Sequence, residues 1–132
     1  MESDCGGREI RALIVDDSAV MRMIHEDMLG TVGVKKKEVA QNGKEAIDII
    51  LHNSPKTFDL ILMDLDMPIM NGIEATRALR SMGVQSKIAG VSGRSSVEAQ
   101  EFMDAGLDYY QQKPLTIAKL SQIIHDIHQF HI

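Results

Sequence analysis

Five short apolar runs, each followed by a stretch with helical spacing, alternate along this chain. Parallel strands cannot be joined by tight turns; they need crossover connections, which are right-handed. Five strand–helix units in 132 residues therefore point to an α/β architecture, a doubly wound five-stranded parallel sheet with five helices on its two faces. The length suits one core, and the expected division is a flexible tail over residues 1–8 followed by a single domain over residues 9–132.

The units read as follows. A first strand over residues 10–15 stops at Asp16-Asp17, and Ser18 caps a helix in which Val20, Ile24 and Met28 recur at helical spacing, with Met21 alongside. Gly30 and Gly33 close it. Lys35-Lys36-Lys37 reads as a solvated turn before a weak second strand over 38–41. Asn42-Gly43 is a turn signal, and Ala46, Ile47, Ile50 and Leu51 mark a helical face ending before Pro55. The third strand covers 58–63. Asn71-Gly72 turns the chain into a helix over 73–82 with Ala75, Ala78, Leu79 and Met82 inward. A fourth strand over 87–91 leads to Ser92-Gly93, and Ser95 or Ser96 caps a helix carrying Val97, Ala99, Phe102 and Met103, with Gly106 at its end. A weaker fifth strand over 108–112 closes on Lys113-Pro114, where a cis bond is available. Thr116 caps a last helix whose Ile117, Leu120, Ile123, Ile124 and Ile127 form one stripe.

Composition narrows the partners. A net charge of -5 argues against nucleic acid, which usually demands a basic face. Cys5 is the one cysteine and cannot make an internal disulfide, which fits a reducing compartment. No apolar run approaches the roughly 20 residues of a membrane span, and the N-terminus lacks the apolar core of a signal peptide. A soluble intracellular protein is expected. Nine methionines are read as gap-fillers of the core, and His125, His128 and His131 as residues of a solvated helix end.

The chemistry gathers at strand ends. The first strand ends in Asp16-Asp17, the third in Asp64 with Asp66 just beyond, the fourth in Ser92 and the fifth in Lys113. In a doubly wound sheet these ends share one edge, where such folds place their ligands. Each aspartate alone could start a turn or cap a helix. Converging carboxylates repel and raise each other's pKa, a cost that a hard divalent cation with oxygen ligands relieves. Lys113 and Ser92 beside a metal fit a phosphoryl group, whose oxygens a cation, an ammonium and a hydroxyl can share. At this stage Asp64 could bind metal, act as a nucleophile, or do both.

Taken in order and at these spacings, Asp16-Asp17, the run from Asp64 through Pro68 to Asn71-Gly72, Ser92, and the run from Tyr110 to Lys113-Pro114 closely resemble the receiver domain of two-component response regulators. The resemblance covers about residues 10–130. It implies the flavodoxin-like strand order 2-1-3-4-5. It implies that Asp64 is the phosphoacceptor and takes a phosphoryl group from a phosphohistidine. It further implies that Mg²⁺, with Mn²⁺ as an alternative, is held by Asp17 and Asp64 directly, by the Asp66 backbone carbonyl, and by Asp16 through water. Lys113 would contact the phosphoryl oxygens, Ser92 would hydrogen-bond one of them, and Tyr110 would change rotamer with it. Gly93 stands where the family usually has alanine, and Asp66 and Arg94 flank the site where residues of this family tune dephosphorylation.

The stretches from Gly90 to Gly93 and from Glu101 to Leu107 further resemble the stand-alone plant receivers called type C. That likeness implies a histidine-containing phosphotransfer protein or a histidine kinase as partner, a phosphorelay of the cytokinin-signalling kind, a role as phosphohistidine phosphatase or phosphate sink, a monomeric state, and a cytoplasmic or nuclear setting. The chain ends soon after its fifth predicted helix, so no output domain is expected. Two alternatives stand beside this reading: the receiver part of a hybrid histidine kinase, and a haloacid-dehalogenase-type phosphatase using Asp64 and Asp66. Pro68 sits where that phosphatase wants Thr or Val, and no later Gly-Asp-x-x-x-Asp motif follows. A calcium loop is excluded by Pro68 and by Ala75 in place of a glutamate, and both glycine fingerprints of nucleotide sites are missing.

Overall fold

The computed structural model describes residues 9–53, 58–94 and 96–129. Residues 1–8 with Cys5, Pro55 as a helix stop, Ser95 as a cap, and His131 lie outside the described residues. Ten elements alternate: β1 (Arg11–Val15), α1 (Ala19–Thr31), β2 (Lys36–Ala40), α2 (Gly43–His52), β3 (Leu60–Asp64), α3 (Gly72–Ser81), β4 (Lys87–Ser92), α4 (Ser96–Asp104), β5 (Tyr109–Gln112) and α5 (Ile117–Gln129). The strands are all parallel, in the order β2-β1-β3-β4-β5, as the resemblance implied.

β3 is the centre of the sheet, and all five of its residues are buried. A strand covered on both faces has no solvent side, so it reads as a continuous apolar run. Alternate residues serve the two faces. Leu13, Val15, Ile61 and Met63 join Ala46, Ile50, Ala75, Leu79 and Phe102 from α2, α3 and α4. Ala12, Ile14, Leu60 and Leu62 join Leu29 from α1 and Leu120, Ile123 and Ile127 from α5. Fully burying an aliphatic side chain of this size contributes about 1.5–3 kcal/mol, so the two apolar layers hold the central strand between them.

Register sets the strand ends level. Val15 pairs with Met63, Asp64 with Val91, and Ser92 with Gln112. The polar residues that follow these positions therefore emerge on the same edge. Among the described residues, no helix is long and apolar enough to cross a membrane.

Several local expectations change. β2 begins at Lys36, so two of the three lysines belong to an edge strand and not to a turn; its exposed, charged side chains hid the strand. Asn42-Gly43 and Asn71-Gly72 are helix starts. Each asparagine side chain accepts the N–H of the residue three further on, and Glu74 completes a capping box with Asn71. The apolar stripe on α1 is displaced: Val20 and Ile24 are exposed, at 64% and 43%, whereas His25 and Leu29 face the core. Leu51, Met82, Val97 and Ile117 also lie at the surface. Ser18 and Thr116 do cap α1 and α5, and the Lys113–Pro114 bond is cis.

Candidate functional site

Asp64 stands at the carboxyl end of β3, 6% exposed. The loop beyond it is fixed by backbone contacts. The Gly72 N–H donates to the Leu65 carbonyl at 2.9 Å. A Cβ at Gly72 would press into the Asp64 carbonyl oxygen and lie 2.9 Å from the Phe102 ring. Glycine here lets α3 start directly against the strand that carries the carboxylate. Ile69, in the same loop, has a positive φ of 70°.

Asp16 and Asp17 follow β1. Asp16 is buried, and one of its carboxylate oxygens accepts the Ser18 N–H at 2.9 Å. The Arg22 guanidinium donates to its backbone carbonyl at 2.8 Å. Asp16, Asp17 and Asp64 each offer one oxygen, and these oxygens lie within 4.8 Å of one another. Lys113 reaches in from the end of β5. Its Nζ is 2.9 Å from Asp64 Oδ1 and 4.0 Å from Asp16 Oδ2.

One ammonium thus faces three carboxylates, and the titration follows from that imbalance. Burial pushes Asp64 up from 3.8 to about 6, against the hydrogen bond from Lys113, with the charges of Asp16 and Asp17 adding to the rise. Burial works against the charge on Lys113 as well, but its bond to Asp64 and the surrounding carboxylates outweigh it, and its pKa is raised. The lysine gains more from the cluster than Asp64 gains from the lysine. His25, buried on α1, is held below its usual range by burial, with opposing effects from Asp16 and Lys113.

The donor set fits a hard divalent cation. It is made of oxygens alone, and Asp16 Oδ2 is buried with no hydrogen-bond partner among the described residues. An orphaned carboxylate oxygen costs free energy unless something outside the chain satisfies it.

Ser92 ends β4 and is 1% exposed. Its hydroxyl oxygen accepts the Arg94 N–H at 2.9 Å, leaving its own hydrogen to donate. Tyr110 on β5 directs its hydroxyl to the Arg94 carbonyl at 3.1 Å and, more loosely, to the Ser92 carbonyl at 3.4 Å. Its ring meets Phe102 edge-on at 6.4 Å. Asp66 carries its side chain outward, where Arg94 grips it through two nitrogens at 2.7 and 3.1 Å.

The structure therefore brings Asp16, Asp17, Asp64 and Lys113 into one cluster, with Ser92, Tyr110 and Asp66 at its rim. The family resemblance placed Asp66 and Arg94 beside the site, but neither their ion pair nor the Arg22 contact was foreseen. Opposite charges 28 residues apart give no local signal of pairing.

Residues 12–125 match the response regulator receiver domain family. Over 120 residues the chain is 53% identical to two-component response regulator 24 of Arabidopsis thaliana, covering 90% of this chain and 84% of that protein. Over 118 residues it is 43% identical to two-component response regulator ARR22 of the same plant, covering 87% and 81%. Among solved structures, the receiver domain of the histidine kinase CKI1 from Arabidopsis thaliana, complexed with Mg²⁺, superposes with a TM-score of 0.74 at 35% identity, covering 89% of this chain and 91% of that one.

Proposed function

The chain belongs to the response regulator receiver domain family, and from that premise we propose that Asp64 accepts a phosphoryl group from a phosphohistidine on a histidine-containing phosphotransfer protein or a histidine kinase. The single observation that carries this reading is the cluster itself: a buried carboxylate at the end of the central strand, 2.9 Å from a lysine and beside two further carboxylates.

The chemistry is a displacement at phosphorus. An Asp64 oxygen attacks, the P–N bond breaks, and its electron pair returns to the imidazole, which leaves neutral when its other nitrogen carries a proton. The product is an acyl phosphate. Desolvation of Asp64 removes the water that would otherwise blunt its oxygen, while Lys113 keeps it oriented. Lys113 can then follow the developing charge onto the phosphoryl oxygens as a point charge. Ser92 has a hydroxyl hydrogen to give to one of those oxygens. Asp17, Asp64, the Asp66 carbonyl and, through water, Asp16 would hold Mg²⁺ or Mn²⁺. When bound, that ion supplies positive charge against the phosphoryl oxygens. The family membership favours the receiver reading over the dehalogenase-type phosphatase, and the Asp66 carboxylate that the latter would use as acid or base is held by Arg94 instead.

The likeness to the Arabidopsis two-component response regulators supports a plant phosphorelay as the setting; within it we propose a pathway of the cytokinin-signalling kind, with the chain working as a monomer in the cytoplasm or nucleus and draining phosphate from its donor. The test is phosphotransfer from a radiolabelled phosphotransfer protein in Mg²⁺, followed over time. Transient label on this chain with net release of inorganic phosphate is expected. Label that stays on the donor would overturn the reading, and label that accumulates here without release would replace the sink with a switch.

A further inference from the structure

We propose a second ligand site at the opposite edge of the sheet, a cationic cleft at the start of β1 and β2 that binds a compact polyphosphate. The cleft has a volume of about 400 Å³ and is lined by Arg11, Lys35, Lys36, Lys37, Glu38 and Phe58. Four cations against one carboxylate is an unusual balance in a chain whose net charge is -5. Arg11 and Lys36 are register partners at the first positions of their strands. Asp64 and Lys113 stand at the other ends of the strands. A strand of this length spans roughly 16 Å, so the cleft and the carboxylate cluster are separate places.

Arg11 is held in place yet left short of partners. Its backbone N–H donates to the Asp59 carboxylate at 2.9 Å, and its guanidinium lies over the buried Phe58 ring at 5.0 Å. A guanidinium has five N–H donors to satisfy. Nη2 makes two contacts at the outer limit of hydrogen bonding, 3.4 Å to Glu38 Oε2 and 3.5 Å to Asn53 Oδ1. Nη1 is buried with no partner among the described residues, a cost that an acceptor from outside the chain would remove. The lysines are similarly free. Lys36 meets Glu9 at 3.5 Å, with both side chains more than half exposed, where such a pair is weak. Lys35 is exposed and has no carboxylate partner among the described residues. Lys37 differs, because its ammonium is engaged by the Glu26 carbonyl at 3.3 Å.

Three available cations require more than one negative charge on the ligand. Neighbouring strands lie about 4.8 Å apart, so Arg11 and Lys36 suit adjoining phosphates. The planar fork of arginine takes a phosphate through two bonds, and lysine serves as a point charge beside it. The volume is that of a small-ligand cleft. Glu38 lies on the same face of β2 as Lys36 and is the competitor within the chain: an arriving phosphate displaces its long contact with Arg11. A soluble oligophosphate and the headgroup of a bisphosphorylated inositol lipid offer this same chemistry.

The experiment is calorimetric titration of the full chain with inorganic tripolyphosphate in EDTA. No phosphodonor is present, so the result does not depend on whether Asp64 accepts a phosphoryl group. Binding at one site with a micromolar Kd is expected. Arg11→Gln should weaken it by at least roughly tenfold. Lys35→Gln and Lys36→Gln, at exposed positions, should keep the fold and weaken binding by roughly twofold to fivefold each. Glu38→Gln should tighten it by a similar factor. Lys44→Gln, which removes an exposed lysine paired with Asp48 outside the cleft, and Lys113→Ala should each change Kd by less than about twofold. Vesicles of phosphatidylcholine with and without bisphosphorylated phosphatidylinositol separate the sources. Co-sedimentation that tripolyphosphate reverses assigns the cleft to a lipid headgroup; tripolyphosphate binding without co-sedimentation assigns it to a soluble oligophosphate. No binding of tripolyphosphate at millimolar concentration, equal losses in Lys44→Gln and Lys36→Gln, or loss of binding in Lys113→Ala would overturn the site.

Discussion

Replacing Asp64 by asparagine should stabilise the protein in the absence of metal. The ionised carboxylate is 6% exposed and its pKa is pushed up to about 6 from 3.8. At full value that shift corresponds to about 3 kcal/mol of penalty at neutral pH; screening by water at the mouth of the site leaves about 1–2 kcal/mol. Asparagine keeps the shape and drops the charge, and Lys113 retains Asp16 at 4.0 Å. For a chain of this size the gain corresponds to roughly 4–8 °C in Tm. The sign follows from linkage. The folded state holds the Asp64 proton more tightly than the unfolded chain, so wild-type stability falls as pH rises from 3.8 through about 6. The advantage of the variant should therefore vanish near pH 4 and be complete above about pH 7. Mg²⁺ reverses the order: at a hundredfold excess over Kd it adds about 2.7 kcal/mol to a chain that binds it, and the variant has lost one ligand. Urea unfolding in EDTA across this pH range, repeated in saturating Mg²⁺, measures all of this. A variant no more stable than wild type in EDTA at neutral pH, or an advantage that persists at pH 4, would refute the reasoning.

Other outcomes follow from the same geometry. Lys113→Ala should leave Mg²⁺ affinity within a few-fold of wild type while phosphotransfer falls by one to two orders of magnitude, about 1.4–2.7 kcal/mol of lost charge stabilisation; calorimetry and a labelling time course separate the two, and a collapse of metal affinity would mean the lysine has another role. Gly72→Ala forces a methyl into the Asp64 carbonyl oxygen and the Phe102 ring and should cost about 3 kcal/mol in urea unfolding, at the upper end of overpacking. Phe102→Ala removes a fully buried ring and should cost about 3–5 kcal/mol in the same assay. Mg²⁺ affinity should weaken as pH falls through about 6, because the metal must displace the proton on Asp64; a flat calorimetric profile there would contradict the charge arrangement.

Much of this was legible in the residues because the central strands are buried on both faces. Such strands carry unbroken apolar runs, and their ends are marked by abrupt polarity at Asp16, Asp64 and Ser92. The strand order came with the family resemblance, since periodicity alone does not say which strands are neighbours. The face of α1 was misjudged because His25 interrupts the buried stripe that contains Leu29, while Val20 and Ile24 form a cleaner stripe that points to solvent. β2 was obscured because an edge strand tolerates lysines that a central strand would not. Asp66 and Arg94 were placed beside the site by the resemblance, but their pairing was not legible, because it depends on how two loops face one another.

The central claim is that Asp64 is the phosphoacceptor, and it is tested most directly by incubating wild type and Asp64→Asn with a phosphohistidine donor in Mg²⁺ and mapping the label. The account predicts alkali-labile label confined to the peptide containing Asp64, and none on the asparagine variant although it remains folded. Label of equal extent on that folded variant would contradict it.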